Sequence, residues 1–167
     1  AGQFVKLESG EEGHVEKIGW RSTWIRMPQN NMVLVPNKIL VNSRIVNYDY
    51  PNREVVVLVP IGVSYDSDLD QVEKVTLEIA EEIQKTVPGA VSDFQPVIRY
   101  HAFSASSIDL TVVLRSQNVA DQGLLKHELI KRLHVRYQQK GIVIPFPLQT
   151  LDLKPEMLEL LQSALKK

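Results

Sequence analysis

The sequence of 167 residues contains no cysteine, which excludes disulfide bonds and thiolate metal sites within the chain. It also lacks a long apolar run. The longest, residues 55–63 (VVVLVPIGV), falls well short of the roughly 20 residues that a helix needs to cross a bilayer. Neither sign of charge dominates, since 19 basic side chains stand against 20 acidic ones for a net charge of −1. This balance argues against the broad basic surface of most nucleic-acid-binding domains.

The residues that could carry chemistry do not form a recognisable constellation. Residues 66–70 begin like a calcium loop, but Gln71 and Leu77 stand where that loop needs glycine and glutamate. The acidic residues instead favour the start of a helix. His127 and His134 lie seven residues apart, without the spacing of a zinc protease and without a third ligand. We therefore expect no enzymatic activity, no catalytic or metal-binding residues and no cofactor.

Residues 1–50 have the pattern of a small all-β unit. Strand-forming residues recur between turn signals at 3–7, 15–20, 23–27, 32–35 and 44–48. Five short strands in about 50 residues need closure to hide their edges. We therefore predict a small SH3-like or Sm-like β-barrel domain over residues 1–50.

A different pattern follows Pro51. It predicts, in order, a strand over 54–63, a helix from a cap at 66–68 to Val87, strands over 97–103 and 108–114, a helix from Asn118 to Gly141, and a strand over 142–144. The order β-α-β-β-α-β is that of the ferredoxin-like split unit. Residues 51–147 are thus predicted to form a ferredoxin-like α/β sandwich domain, and the fold class is α+β.

The pattern of residues 148–167 predicts an assembly strand followed by a short C-terminal helix. Leu151 and Leu153 alternate with Asp152, so one face of the strand is apolar and the other polar. A lone strand leaves backbone donors and acceptors unpaired unless another chain supplies partners. Pro155 fits the first turn of the helix.

Several segments resemble the small-conductance mechanosensitive channel family. The matching segments occur in the family's order: 13–18 (GHVEKI), 21–26 (RSTWIR), 33–37 (VLVPN), 45–47 (IVN), 61–66 (IGVSYD), 106–110 (SSIDL) and 141–147 (GIVIPFP). The family's transmembrane helices have no counterpart among these 167 residues, so the resemblance concerns the part of the channel that lies on the cytoplasmic side of the plasma (inner) membrane.

The resemblance implies a homo-heptamer. In the family, seven barrels form a ring beneath the membrane, and seven α/β domains enclose a cytoplasmic vestibule with side portals. Tension opens the pore, and ions and small osmolytes pass through the vestibule and its portals. Tyr48, Asp49 and Arg53 stand at the domain junction, where the family has its portals. The resemblance also places a closing barrel, one strand from each subunit, at residues 148–153.

A second interpretation stays open, namely a soluble oligomeric binding module built from similar folds, with RNA as a candidate ligand. Tyr100 and Phe103 are the nearest approach to a base-stacking pair, but the glycine and aromatic motif of an RNA-recognition domain is missing. We therefore expect no nucleic-acid partner. Trp20 and Trp24 fit either a core or a subunit contact, because both environments bury the ring.

Overall fold

The computed structural model describes residues 1–147, which form two units with separate hydrophobic cores. The N-terminal unit consists of β1 (Phe4–Leu7), β2 (Glu12–Ile18), β3 (Ser22–Arg26), β4 (Met32–Pro36), α1 (Asn37–Asn42) and β5 (Ile45–Asn47). The C-terminal unit consists of β6 (Val55–Val63), α2 (Leu69–Thr86), β7 (Val97–Phe103), β8 (Ile108–Ser116) and α3 (Gln122–Lys140). The fold is therefore of the mixed α+β class, and both sheets are antiparallel.

The N-terminal sheet has the strand order β4-β3-β2-β1-β5. All five strands predicted from the sequence are present. Their alternating inward side chains form a small core of Val5, Leu7, Ile25 and Val35. Among the described residues no pairing joins β4 to β5, so the recorded pairs form a sheet with two edges.

The helix α1 was not anticipated, because it buries none of its six residues and so leaves no periodic apolar signal. Its first residue, Asn37, contacts the β2–β3 turn through its side chain. The amide nitrogen donates to the carbonyl oxygens of Gly19 at 2.9 Å and Trp20 at 3.3 Å. The backbone nitrogen of Asn37 also donates to Arg21 O at 2.9 Å. The helix is therefore anchored by polar contacts at its start.

The C-terminal sheet has the order β6-β8-β7, and α2 and α3 contribute to a core on one of its faces. The predicted start of α2 is confirmed, since Asp68 Oδ1 accepts from the backbone nitrogens of Asp70 at 3.0 Å and Gln71 at 3.2 Å. Gly141 ends α3 in the left-handed conformation, as predicted. None of the helices within residues 1–147 combines the length and the apolar character that crossing a bilayer requires.

Two local predictions were wrong. Residues 142–144 do not form a strand, because a single hydrogen bond, from Ser64 N to Val143 O at 2.9 Å, joins this segment to the end of β6. Asn118 does not cap α3, which begins three residues later than expected, after Asp121. The Asn118 side chain instead bonds Asp121, donating to its carboxylate and accepting from its backbone nitrogen. The assembly strand and tail helix predicted over 148–167 lie outside the described residues.

Candidate functional site

Asp49 and Arg53 lie where the chain passes from one unit to the other. Asp49 Oδ2 accepts a hydrogen bond from the Phe4 backbone nitrogen at 2.8 Å. Arg53 Nε lies 3.5 Å from the other carboxylate oxygen. The Asp49 side chain is 12% exposed, whereas that of Arg53 is 71% exposed. Asp49 therefore fastens the linker to β1, while the Arg53 guanidinium reaches solvent.

Tyr48, the third residue expected at the junction, belongs to an aromatic group behind this contact. Its backbone nitrogen donates to Phe4 O at 3.0 Å, and its ring centroid lies 5.8 Å from that of Phe4. His14 packs against the other side of Phe4 in an edge-on arrangement with a centroid distance of 5.0 Å. The aromatic group thus fixes the end of β5 against the start of β1.

A cleft of about 280 Å³ opens between the two units at this point. Its lining residues come from both units and the linker: Gly2, Phe4, His14, Asp49, Arg53, Asn118, Val119 and Ala120. The structure therefore brings two of the three expected junction residues to one surface. One carboxylate (Asp49), one guanidinium (Arg53) and one imidazole (His14) line the cleft.

The second face of the C-terminal sheet carries an apolar row that the described residues leave uncovered. Leu58 on β6 and Val97 on β7 both stand opposite Val113 on β8. Leu58 is 55% exposed, and Val56 on the same strand is 47% exposed. Large exposed apolar patches on soluble domains mark interaction surfaces. We interpret this face as a candidate contact with another protein surface.

A further apolar surface lies at the C-terminal end of α3. A cavity of about 550 Å³ there is lined by His134, Tyr137, Gln138 and residues 141–146. Phe146 beside it is 82% exposed. The chain continues from this point into residues 148–167, so the expected assembly residues Leu151, Asp152 and Leu153 follow directly, although they lie outside the described residues.

Within residues 1–147, no group of three or more histidine, aspartate or glutamate side chains is placed to hold a metal ion. Among these carboxylates, Asp109 accepts hydrogen bonds from Ser104 Oγ at 2.5 Å and Ser107 Oγ at 2.7 Å. The Ser104 hydroxyl, and after it that of Ser107, lowers the pKa of Asp109. A carboxylate held in its charged form in this way is a poor proton acceptor.

The two residues considered for RNA stacking have different surroundings. Tyr100 packs partly buried against the core, and its hydroxyl donates to Leu69 O at 3.0 Å. Phe103 is 81% exposed and stacks on Tyr65 with a centroid distance of 6.2 Å. Since Tyr100 is already engaged, the two rings do not form a joint platform for successive bases.

Trp20 and Trp24 both point away from the N-terminal core. Trp20 is 85% exposed and lies under the Arg21 guanidinium at 4.7 Å, while Trp24 is 39% exposed. Sequence reasoning left the choice between a core and a subunit contact open, and the structure places both rings outside the core. Sequence reasoning missed the role of Asn37, for which the available signal was the Pro36-Asn37 pair at the end of a predicted strand.

Comparison with known proteins gave matches over both units. The family model described as "Mechanosensitive ion channel, beta-domain" matches residues 1–50. The model described as "Mechanosensitive ion channel MscS, C-terminal" matches residues 57–144, which is more than half of the chain. Of the junction residues, Tyr48 and Asp49 lie within the first match, and Arg53 falls between the two matches.

Individual proteins with similar sequences carry channel names. The large-conductance mechanosensitive channel MscMJLR of Methanocaldococcus jannaschii is 33% identical over 155 residues, covering 87% of this chain and 41% of that protein. The small-conductance channel MscMJ of the same organism is 28% identical over 93% of this chain and 43% of that protein. The chain thus spans about two fifths of the length of these curated relatives.

A solved structure has the same fold. The closed-state crystal structure of Helicobacter pylori MscS matches with a TM-score of 0.78 and 24% identity, over 92% of this chain and 58% of that chain. The match spans both sheets, and it therefore supports the arrangement described above at the level of the fold.

Proposed function

The chain belongs to the mechanosensitive ion channel family, and from this premise we propose that it forms the cytoplasmic vestibule of such a channel. The observation that carries the proposal is the pair of matches to the family's β-domain and C-terminal models, which occur in order on the two sides of the linker that holds Arg53. The proposed domains are residues 1–50, 51–147 and the assembly segment 148–167. The site of action is the cytoplasmic face of the plasma (inner) membrane.

The proposal gives each unit a finer fold. The N-terminal sheet is the wall of a small Sm-like barrel, whose closure places β4 near β5. The C-terminal unit is ferredoxin-like, because its described elements follow the order β-α-β-β-α.

Seven copies form the proposed cage. The apolar row with Leu58 and Val113, and the apolar cavity at the end of α3, support assembly because both surfaces expose side chains that a neighbour would cover. The segment with Leu151, Asp152 and Leu153 then pairs with its six copies in a closed ring, which satisfies backbone groups that a single strand leaves unpaired.

The portals of the cage lie at the unit junction. Ions and small osmolytes pass there after tension opens the pore in the membrane part of the channel. The exposed guanidinium of Arg53 faces the passing ion, whereas Asp49 is occupied with the Phe4 backbone. We therefore assign the electrostatic role to Arg53 and the structural role to Asp49.

A chimeric channel tests this function. The chain replaces the corresponding region of the Helicobacter pylori channel, and membrane patches are stretched while current is recorded. We expect tension-gated current. Arg53→Glu should shift the reversal potential in a salt gradient towards cation preference, because a negative charge then lines the portal.

The matched control is Lys126→Glu, which makes the same charge change at an exposed position on α3. An Arg53→Glu reversal potential equal to that of the control contradicts the portal assignment. A chimera that reaches the membrane and assembles but passes no current at any tension contradicts the vestibule assignment as a whole.

A further inference from the structure

The N-terminal unit contains a long stretch without acidic residues. Residues 17–48 contain no aspartate or glutamate, although the whole chain has 20. Five basic residues fall in this stretch, and within residues 1–147 the side chain of Arg26 alone among them forms an ion pair, with Glu16 at 2.6 Å. Charge is therefore balanced over the whole chain but positive over this part of it.

Three of the unpaired cations gather at the β2–β3 turn. Lys17 and Arg21 belong to β2 and the turn itself, and Lys38 follows Asn37, whose side chain bonds the turn. Two large apolar side chains project from the same turn, since Ile18 is 64% exposed and Trp20 is 85% exposed. We name this surface, formed by Lys17, Ile18, Trp20, Arg21 and Lys38, the basic tip.

The shape of the basic tip is fixed before any partner arrives. Gly19 N donates to Ser22 O at 2.8 Å, which closes the turn. Asn37 holds the carbonyl oxygens of Gly19, Trp20 and Arg21, as described above. Little conformational entropy is therefore lost when the exposed side chains dock.

We propose that the basic tip docks on the anionic headgroup surface of a membrane. Tryptophan sits at the headgroup level of bilayers because its ring is amphipathic, and arginine and lysine are attracted by the negative surface potential. The tip combines one such ring, an aliphatic side chain and three cations in about one hairpin turn. We choose an anionic membrane as the occupant because its negative charge complements the three cations of the basic tip.

Two other occupants fit the same tip less well. In a symmetric contact between two copies, Lys17, Arg21 and Lys38 of one tip would face the same cations of the other, and no acidic residue between 17 and 48 would offset their repulsion. RNA would use the cations but leave Ile18 in water. The inference rests on the proposed function only in that a channel holds this unit close to a membrane.

Vesicle binding by the full 167-residue chain tests the proposal. The sequence contains two tryptophans, so Trp24→Phe leaves Trp20 as the single reporter. Vesicles of phosphatidylglycerol should shift the Trp20 emission to the blue and carry the protein into the pellet, while vesicles of phosphatidylcholine should do neither. Salt should weaken binding, because exposed charges are screened.

Charge variants locate the contact. Arg21→Gln and Lys38→Gln should each lower the partition coefficient on phosphatidylglycerol about fivefold, the effect of one basic residue near an anionic surface. Lys126→Gln, which removes an exposed charge on α3, should leave it unchanged. Trp20→Ala should weaken binding without changing its dependence on salt.

Four results would overturn the proposal. The first is no binding to phosphatidylglycerol vesicles, and the second is an equal loss of partition coefficient for Arg21→Gln and Lys126→Gln. The third is a Trp20 emission that depends on protein concentration without vesicles, and the fourth is tip-dependent binding of a polyuridine oligonucleotide without vesicle binding. The third identifies a second copy as the occupant and the fourth identifies RNA. Light scattering measures the oligomeric mass and so tests the proposed function independently. A chain that forms a ring but does not bind vesicles contradicts this inference alone.

Discussion

Removal of the Asp49 carboxylate should destabilise the N-terminal unit through a lost hydrogen bond and not through a lost ion pair. Asp49 accepts from the Phe4 backbone nitrogen at 2.8 Å, and its side chain is largely buried. Leaving a buried donor without an acceptor costs about 1–3 kcal/mol. The Arg53 contact is long and the guanidinium is exposed, so such a pair contributes about 0–1 kcal/mol.

Three variants separate the two contributions. Asp49→Ala removes both contacts, and we expect a loss of about 1–3 kcal/mol. Asp49→Asn keeps an oxygen that can accept from Phe4 N, so the loss should be much smaller. Arg53→Gln removes only the ion pair and should cost less than about 1 kcal/mol. We therefore expect wild type, Arg53→Gln and Asp49→Asn to have similar stabilities and Asp49→Ala to be the least stable.

Urea unfolding followed by tryptophan fluorescence measures this order. Both tryptophans of the chain, Trp20 and Trp24, belong to the N-terminal unit, so the signal reports that unit. With a slope of about 1 kcal/mol per molar urea for so small a unit, Asp49→Ala should lower the midpoint by about 1–3 M. Equal shifts of the urea midpoint for Asp49→Ala and Asp49→Asn would refute the hydrogen-bond argument. A large midpoint shift for Arg53→Gln would show that the ion pair stabilises the unit.

The C-terminal unit should lose stability as pH rises from 10 towards 12. Burial raises the pKa of Tyr100 from 10.0 to about 12, so the folded state keeps a proton that the unfolded chain releases in this range. In Tyr100→Phe the free energy of unfolding, measured by circular dichroism, should therefore depend less on pH between 10 and 12. Thr76→Val should cost about 1–3 kcal/mol in urea unfolding followed by helical ellipticity, because the buried Tyr137 hydroxyl then loses its partner at 2.6 Å, and a cost near zero would contradict the pairing. Gly13→Ala should prevent the N-terminal unit from reaching its native tryptophan emission, since a Cβ there would overlap the Arg26 carbonyl oxygen; native emission would show that β2 can move aside.

The strands of the N-terminal unit could be predicted because each alternates or is bounded by turn residues. The bounds of α2 followed from Asp68 at one end and Pro88-Gly89 at the other. Its inward residues recur at helical spacing along one face, so the buried side was also predictable.

Elements that depend on tertiary contacts escaped sequence reasoning. The helix α1 has no fully buried residue, and it is held by the bonds of Asn37 and by Leu40, which packs partly buried against the N-terminal core. The segment 142–144 has strand-forming residues, and Ile142 packs in the core, yet the segment has one backbone hydrogen bond to the chain after β6, from Ser64 N to Val143 O. β-Propensity shows that residues suit a pleated sheet surface, but it does not show whether the fold places a neighbouring strand beside them.

The junction illustrates the same division within the candidate site. Sequence placed Tyr48, Asp49 and Arg53 together because they flank the boundary at Pro51. It could not say that Asp49 turns inward to Phe4 while Arg53 turns outward. Those directions depend on a contact 45 residues apart in sequence, which no local pattern encodes.

The mass of the chain in solution tests the central claim most directly. Light scattering is recorded over a range of concentrations on the intact chain and on a variant that ends at Pro147. A closed homo-oligomer of seven 19.0-kDa chains has a mass of about 133 kDa, and we expect the intact chain to approach it as concentration rises. The variant that lacks residues 148–167 should stay at lower mass. An intact chain that remains at 19.0 kDa at high concentration, or a truncated chain that forms the same ring, would contradict the account.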